Sequence, residues 1–196
     1  MDKLNNYIIN NNKTHIIFDF DKTLFKLIID WDKYFGEILD DLLRINKKIF
    51  LDYEKGKINW CEMQNLYVER YGLSMWDMIR ANNIKADLVL LKKYIPNIDL
   101  INFIKNLKND YHLYIWSSNT KELIKKILMK ENLIQMFENI ICSNDVLFLK
   151  PRNDGFLKIR NASVSLDNYL LVGDSKNDEN AAINSKIAFY KINYFI

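Results

Sequence analysis

Continuous runs of apolar residues, without polar alternation, mark segments of the chain that are typical of strands buried on both faces of a sheet. These runs are His15–Phe18, His112–Trp116, Asn139–Cys142, Tyr169–Val172 and Ile187–Tyr190. Between them, apolar residues recur at helical spacing, as in Leu100–Leu107, Leu123–Leu128 and Glu179–Ile183. Strands that alternate with helices predict right-handed crossovers, and therefore an α/β fold with a doubly wound, mainly parallel sheet.

The segment from Ile28 to Ile95 interrupts this alternation, and no convincing strand is found in it. Apolar residues recur there at helical spacing, in the groups Trp31, Phe35, Ile38, Leu39 and Leu42; Trp60, Met63 and Tyr67; Met75, Met78 and Ile79; and Leu88, Leu91 and Lys92. We therefore predict a lobe of several helices, residues 28–95, inserted into an α/β core of residues 1–27 and 96–196. The polar, Asn-rich start of the chain, Met1–Lys13, is predicted to be a loose tail or a short helix.

Polar clusters follow the predicted strands. They are Asp19-Phe20-Asp21-Lys22-Thr23, Ser118-Asn119, Lys150-Pro151 and Gly173-Asp174-Ser175-Lys176-Asn177-Asp178. In a doubly wound sheet the ligand crevice lies outside the carboxyl ends of the strands. Since Asp19, Ser118 and Asp174 all follow such ends, we expect these clusters to meet in one site.

The first cluster carries two carboxylates. Asp19 and Asp21 are two residues apart, and on an extended segment such residues point to the same side. Close carboxylates attract a hard cation, for which Mg²⁺ is the expected choice. One of them, assigned as Asp19, can attack phosphorus, while Asp21 serves as general acid and base and Thr23 pins the loop by hydrogen bonding. Taken alone, the cluster is better explained as a polar turn after a strand.

The second and third clusters contain groups that can bind an anion. Ser118 and the backbone amide of Asn119 can hold a phosphate oxygen at the start of the following helix. Lys150, restricted to extended backbone by Pro151, can neutralise developing charge on phosphoryl oxygens. Each also has an ordinary alternative, because Ser and Asn are common helix caps and a lysine often precedes a surface turn.

The last cluster combines a glycine with two further carboxylates. Gly173 permits a tight turn, Asp174 is a candidate metal ligand, and Asp178 is a candidate for an additional ligand or for a residue that orients the site. The alternative is a helix cap in which Asp174 or Ser175 precedes acidic first-turn residues. That alternative leaves the agreement with the other clusters unexplained.

Taken together, the four clusters resemble the motifs of the haloacid dehalogenase superfamily, from His15 to Tyr190. The resemblance implies a Rossmann-like catalytic core with a helical cap, close to the phosphoglycolate-phosphatase-like and phosphoserine-phosphatase-like branches. It also implies an aspartyl-phosphate intermediate on Asp19 and Mg²⁺ held by Asp19, the backbone carbonyl of Asp21 and Asp174. Because Asp21 is present, dehalogenation is disfavoured.

This resemblance predicts a magnesium-dependent phosphatase that hydrolyses a small phosphomonoester. A phosphomutase or phosphotransferase with the same chemistry, or a non-catalytic binding module on the same fold, are the alternatives. Residues of the lobe that could read an anionic substrate are Lys55, Lys57, Arg70 and Arg80, and those that could line its pocket are Trp31, Trp60 and Trp76. A solvated face for the cations and a lobe core for the indoles are the competing interpretations.

Composition limits the classes of protein to which the chain can belong. The formal net charge is +3, too small to indicate nucleic-acid binding, and the basic series Lys121, Lys125, Lys126 and Lys130 is read as a solvated helix face. Two cysteines, Cys61 and Cys142, form neither a disulfide framework nor a zinc motif. No stretch approaches the roughly 20 apolar residues of a membrane span. We therefore expect a cytoplasmic protein, a monomer or a homodimer, and the resemblance implies a small phosphorylated metabolite as its partner.

Overall fold

The computed structural model describes residues 1–107 and 110–195, and the side chains of residues 31, 32 and 34–37 are not described. Its main sheet contains five parallel strands, which are His15–Phe18 (β1), His112–Trp116 (β4), Asn139–Ile141 (β5), Tyr169–Gly173 (β6) and Ala188–Lys191 (β7). Their order across the sheet is β5-β4-β1-β6-β7. The predicted α/β class, the parallel sheet and all five predicted strand positions are confirmed, with shifts of one residue at some ends.

The central strands bury both faces, as their continuous apolar runs predict. Along β1, Ile16 and Phe18 belong to one hydrophobic cluster while Ile17 belongs to another on the opposite face. All four residues of β1 are buried, because β4 and β6 flank it and helices cover both sides. This arrangement places the ends of β4, β1 and β6 side by side.

Helices cover both faces of the sheet. They are α1 (Asp2–Asn10), α6 (Ile98–Lys105), α7 (Lys121–Lys130), α8 (Asp154–Ile159) and α9 (Lys176–Ser185). Apolar residues of α1, α6 and α7 lie in the first cluster, and those of α8 and α9 lie in the second. Of the two possibilities for the N-terminal segment, the structure has the short helix, which buries Leu4 and Ile8. Among the described helices, none is long and apolar enough to cross a membrane.

The inserted segment contains four helices and is entered and left through two strands. The helices are α2 (Trp31–Ile45), α3 (Lys47–Glu54), α4 (Trp60–Tyr71) and α5 (Leu73–Leu90), and the strands are β2 (Phe25–Ile29) and β3 (Leu91–Pro96). β2 and β3 pair antiparallel, with Leu27 opposite Tyr94. The expectation that no strand lies between Ile28 and Ile95 is therefore wrong, as is the helical interpretation of Leu91 and Lys92. We retain residues 28–95 as our proposal for the lobe, although it divides both strands.

The lobe has a small core of its own. Ile38, Leu42, Met63, Tyr67 and Ile79 are buried together, which agrees with the helical spacing of these residues in the sequence. The Tyr67 hydroxyl donates to the carbonyl oxygens of Leu42 at 2.6 Å and of Asn46 at 2.9 Å. A tyrosine whose hydroxyl caps the end of α2 therefore joins α4 to α2. The prediction that Trp31 and Phe35 pack here falls on side chains that are not described.

We expect the stability of the protein to fall on acidification through a contribution from His15. This side chain is buried against His112 and Tyr169, and burial, reinforced by the neighbouring His112, lowers its pKa below the usual 6.5. The unfolded chain then binds a proton that the folded chain resists, so this contribution is complete above about pH 6.5 and is lost as the pH falls below it.

The measurement is urea unfolding of the wild type and of His15→Gln at pH 8 and pH 5.5. The stability difference between the two proteins is expected to shrink or reverse at the lower pH, and the comparison cancels the contributions of other titrating groups. A difference that does not change with pH would contradict the prediction.

Candidate functional site

A cavity of about 210 Å³ lies at the carboxyl ends of the central strands, between the core and the lobe. The predicted site residues that line this cavity, called here the strand-end cavity, are Asp19, Asp21, Ser118, Asn119, Lys150, Asp174 and Asp178. They come together because β4, β1 and β6 are neighbours, so that the loops after Trp116, Phe18 and Gly173 share one edge of the sheet. Thr23, the remaining predicted residue, is fully buried and its hydroxyl donates to Asp174 at 3.5 Å.

Lys150 forms the centre of the charged cluster. Its Nζ donates to Asp19 Oδ1 at 2.5 Å, to the carbonyl oxygen of Trp116 at 3.0 Å and to Asp178 Oδ1. Burial alone would lower the pKa of this lysine, but the carboxylates of Asp178 and Asp19 raise it, so the side chain is held as a cation. A fixed ammonium group therefore connects the loop after β1 with the start of α9.

The Asp19 carboxyl is buried, with 7% of the residue exposed. Burial and the neighbouring charge of Asp178 raise its pKa to about 8, although the ammonium of Lys150 acts in the opposite direction. Such a group is costly to ionise unless more positive charge enters the site. The arrangement therefore favours occupation by a cation.

Asp178 is held by the first turn of α9. Ser175 and Asp178 form a capping box, in which the Ser175 hydroxyl accepts from the backbone N–H of Asp178 while Asp178 Oδ2 accepts from the backbone N–H of Ser175 at 3.0 Å. A Cβ at Gly173 would come within 2.7 Å of the Asp178 side chain. The glycine is therefore required for close packing of Asp178 against the strand end. Asp178 therefore belongs to the cap of α9 and also lines the strand-end cavity.

The carboxylates can hold a metal ion. Asp19, Asp174 and Asp178 each offer an oxygen, and these atoms lie within 4.8 Å of one another. An all-oxygen set of this kind fits a hard divalent cation such as Mg²⁺ better than a soft one. Burial, followed by the charge of Asp178, raises the pKa of Asp174 as well. The donor set thus fits magnesium on its chemistry.

Asp21 occupies a different position from Asp19. It lines the strand-end cavity but its carboxylate lies outside the group of three, and its Oδ1 accepts from the backbone N–H of Leu27 at 2.8 Å. The strand ends at Phe18, and both carboxylate residues that follow it line the same cavity. Burial raises the pKa of Asp21, which favours its protonated form.

The turn after β4 carries Ser118 and Asn119. The Ser117 hydroxyl accepts from the backbone N–H of Asn119 at 3.2 Å, and the carbonyl oxygen of Asn119 accepts from the N–H of Ser143 at 3.0 Å. Burial raises the pKa of the Cys61 thiol on α4, and the neighbouring Ser118 side chain acts in the opposite direction. The turn is thus fixed by the core and lies beside the lobe.

Asp87 is the principal site residue that sequence reasoning missed. It lies on α5 of the lobe, lines the strand-end cavity, and its Oδ2 accepts from the Thr120 hydroxyl at 2.6 Å and from the Thr120 N–H at 3.1 Å. Thr120 is the residue that caps α7, so a carboxylate of the lobe serves the helix that follows Ser118 and Asn119. The available signal was the polar series Arg80, Asn83 and Asp87, whose spacing places it on one face of a helix.

The lobe also contacts the segment that leads to Lys150. Asn65 exchanges two hydrogen bonds with the backbone of Leu149, at 2.7 Å and 2.9 Å, and the Trp76 indole N–H donates to the carbonyl oxygen of Val146 at 2.7 Å. Arg80 Nε donates to the carbonyl oxygen of Ser143 at 2.8 Å. Buried polar contacts of this kind hold the lobe against the core.

Comparison with known proteins agrees with this arrangement. The sequence model of the family described as haloacid dehalogenase-like hydrolase matches residues 16–192. No curated protein matches the chain at a significant level.

Solved structures resemble the fold over most of the chain. A haloacid dehalogenase-like hydrolase from Bacteroides fragilis has 18% sequence identity and a TM-score of 0.62, covering 91% of this chain and 87% of the other. A predicted phosphoglycolate phosphatase from Haemophilus somnus has 16% identity and a TM-score of 0.60, covering 93% and 86%. The HAD-hydrolase YfnB from Bacillus subtilis, described as bound to magnesium and as revealing interdomain movement, has 19% identity and a TM-score of 0.55, covering 93% and 87%.

At such identities these structures establish a shared fold and nothing more, whereas the family match extends over most of the sequence. The matched residues include parts of all five strands of the main sheet and every cluster that lines the strand-end cavity. The chain therefore belongs to the haloacid dehalogenase-like hydrolase family.

Proposed function

We propose that the protein is a magnesium-dependent phosphatase that hydrolyses a small phosphomonoester through an aspartyl-phosphate on Asp19. The observation that carries the proposal is the buried contact of Lys150 with Asp19 and Asp178, beside Asp174, at the carboxyl ends of the strands. A carboxylate nucleophile, a fixed ammonium and an oxygen-rich cation site are the groups that phosphoryl transfer requires.

In the proposed first step, an Asp19 carboxylate oxygen forms a bond to phosphorus while the bond from phosphorus to the leaving oxygen breaks. Asp21 gives its proton to that oxygen and then takes a proton from the water that hydrolyses the aspartyl-phosphate. The raised pKa of Asp21 supports the acid role, since a buried carboxyl keeps its proton more readily. Its hydrogen bond from Leu27 supports a fixed orientation toward the cavity.

The proposed phosphoryl site uses the remaining cavity residues. Ser118 and the backbone amide of Asn119 hold phosphoryl oxygens, and Lys150 balances the charge that develops on them. The turn that carries Ser118 is tied to the backbone of Ser143, which supports a preorganised site. Thr23, which donates to Asp174, would keep the first and last clusters in register.

Asp19, Asp174 and the backbone carbonyl of Asp21 would hold Mg²⁺, with Asp178 as a further ligand or as the residue that orients Lys150. When bound, the ion supplies positive charge that neutralises the carboxylates and polarises the phosphoryl group. The raised pKa values of Asp19 and Asp174 support this assignment, because both groups lack sufficient positive charge in the protein alone.

The test is hydrolysis of a generic aryl phosphate by the purified protein. We expect release of phosphate with magnesium and no release in a chelator. A hexose phosphate assayed in parallel separates the alternatives: isomer formation without release would favour a phosphomutase, for which the same residues would serve. Turnover that persists in chelator would contradict the mechanism, and absence of turnover over a broad set of phosphate esters would favour a binding module.

A further inference from the structure

The lobe presents a particular set of side chains to the strand-end cavity. From α4 these are Trp60 and Cys61, and from α5 they are Asn83 and Asp87. They comprise an indole, a thiol, an amide and a carboxylate, so the lobe contributes one negative charge. Among its described residues, no lysine, arginine or histidine lines the cavity, and the lobe residues whose side chains are not described include no basic residue.

None of the four basic lobe residues that could bind an anionic substrate lines the cavity. Arg80 is buried, and its guanidinium donates to Ser143 and to Gln64. Lys57 pairs with Asp52 at 3.2 Å. Lys55 and Arg70 are exposed and lie outside the cavity lining.

The cations that do line the cavity come from the core, and both face carboxylates. Lys150 donates to Asp19 and Asp178. Lys22 lies close enough to Asp21 and Asp174 to stabilise their charged forms. Among the described residues that line the cavity, five carboxylates thus stand against two ammonium groups. A phosphoryl group and a divalent cation would occupy the core side, which leaves the leaving group of the substrate facing the lobe.

Asp87 is the charged residue that the lobe contributes to the lining of the cavity. Burial raises its pKa to about 6, against the hydrogen bonds from Thr120, so the group is ionised at pH 8. A carboxylate on the substrate would meet this charge in a buried setting, and like charges brought together at a binding surface discriminate strongly against a ligand.

We propose that the substrate is a small phosphomonoester whose leaving group carries hydroxyl or amine donors and no carboxylate. This inference rests on the proposed phosphatase function and specifies its substrate class. Asp87 provides a negatively charged acceptor for such a group, and Trp60 provides an aromatic ring beside it. The cavity volume of about 210 Å³ suits a small leaving group, since pockets for drug-sized ligands span roughly 300–1,000 Å³.

The experiment compares three esters of similar size that differ in the charge at the far end. They are 2-phosphoglycolate, 2-hydroxyethyl phosphate and O-phosphoethanolamine, which end in a carboxylate, a hydroxyl and an ammonium group. At pH 8 with magnesium, we expect kcat/KM for 2-phosphoglycolate to be at least about tenfold below that of the other two, the effect of roughly one like-charge contact. Asp87→Asn should narrow this difference, whereas Asp77→Asn, an exposed aspartate on the same helix, should leave it unchanged.

A second measurement separates this inference from the proposed function. Binding of the three esters to the Asp19→Asn protein with magnesium is measured by calorimetry, and the same order of affinity is expected without turnover. Preference for 2-phosphoglycolate in turnover or in binding would overturn the inference. If Lys22→Gln then removed that preference, Lys22 would be the residue that binds the substrate carboxylate. If aryl phosphate is not hydrolysed but the binding order holds, the phosphatase proposal fails while the ligand class stands.

Discussion

Asp19→Asn is expected to reduce phosphatase activity by a factor on the order of 10³ or more, since loss of a nucleophile removes the covalent route. The amide can neither attack phosphorus nor supply an anionic oxygen to the cation. The variant should still fold, because Lys150 keeps the carboxylate of Asp178 and the carbonyl oxygen of Trp116 as acceptors. The measurement is single-turnover and steady-state hydrolysis of an aryl phosphate with magnesium.

Asp110→Asn is the matched control, because Asp110 is exposed and precedes β4 at the end of the sheet opposite the cavity. This variant should retain wild-type activity. Two further measurements sharpen the result: trapping of a phosphorylated protein with the wild type, and its absence with Asp19→Asn. Activity of the asparagine variant close to that of the wild type would remove Asp19 as nucleophile and with it the proposed mechanism.

Lys150→Met is expected to lower the free energy of unfolding by about 3–5 kcal/mol in chelator at pH 8, the usual consequence of leaving buried charges without their partner. Asp19 and Asp178 would then face each other without the ammonium that both now accept from. Magnesium should restore part of the loss, since the cation takes over part of the compensation. Activity should also fall steeply, because the charge on the phosphoryl oxygens loses its partner.

The pH gives an independent check on the same variant. Burial raises the pKa of Asp19 to about 8, and its protonation removes its repulsion with Asp178, so the loss of stability in Lys150→Met should be smaller at pH 5 than at pH 8. Lys176→Met is the control, since Lys176 forms an exposed pair with Glu179 on α9 and such pairs contribute little. Urea unfolding of the three proteins with and without magnesium gives the values. A Lys150→Met protein as stable as the wild type in chelator at pH 8 would show that the charged cluster is not held together by this lysine.

Strand prediction succeeded where burial on both faces leaves a continuous apolar run. β1 and β4 have the predicted bounds, because no polar residue interrupts His15–Phe18 or the end of His112–Trp116. Prediction failed for β2 and β3, which form a separate two-stranded sheet. In β3 the exposed and half-buried residues include two lysines, so neither a strand nor a helix period dominates.

The convergence of the site could be predicted because the carboxyl ends of parallel strands share one edge. Asp19, Ser118 and Asp174 follow β1, β4 and β6, which are adjacent in the sheet. The contacts of Lys150 could not be predicted in the same way, since this residue follows a loop that the lobe fixes through Asn65. The pairing of Lys150 with both Asp19 and Asp178 depends on that loop.

The sequence by itself determined the α/β class, the family and most of the residues that line the strand-end cavity, because these depend on local patterns and on motif order. Only the tertiary structure decided that Asp19, Asp174 and Asp178 form one group while Asp21 lies outside it, and that Asp87 reaches the turn after β4. It also decided that Arg80 binds the core while Trp60 lines the cavity. The physical reason is that a helix pattern specifies which face is buried, whereas the partner of each polar side chain depends on how the lobe packs against the sheet.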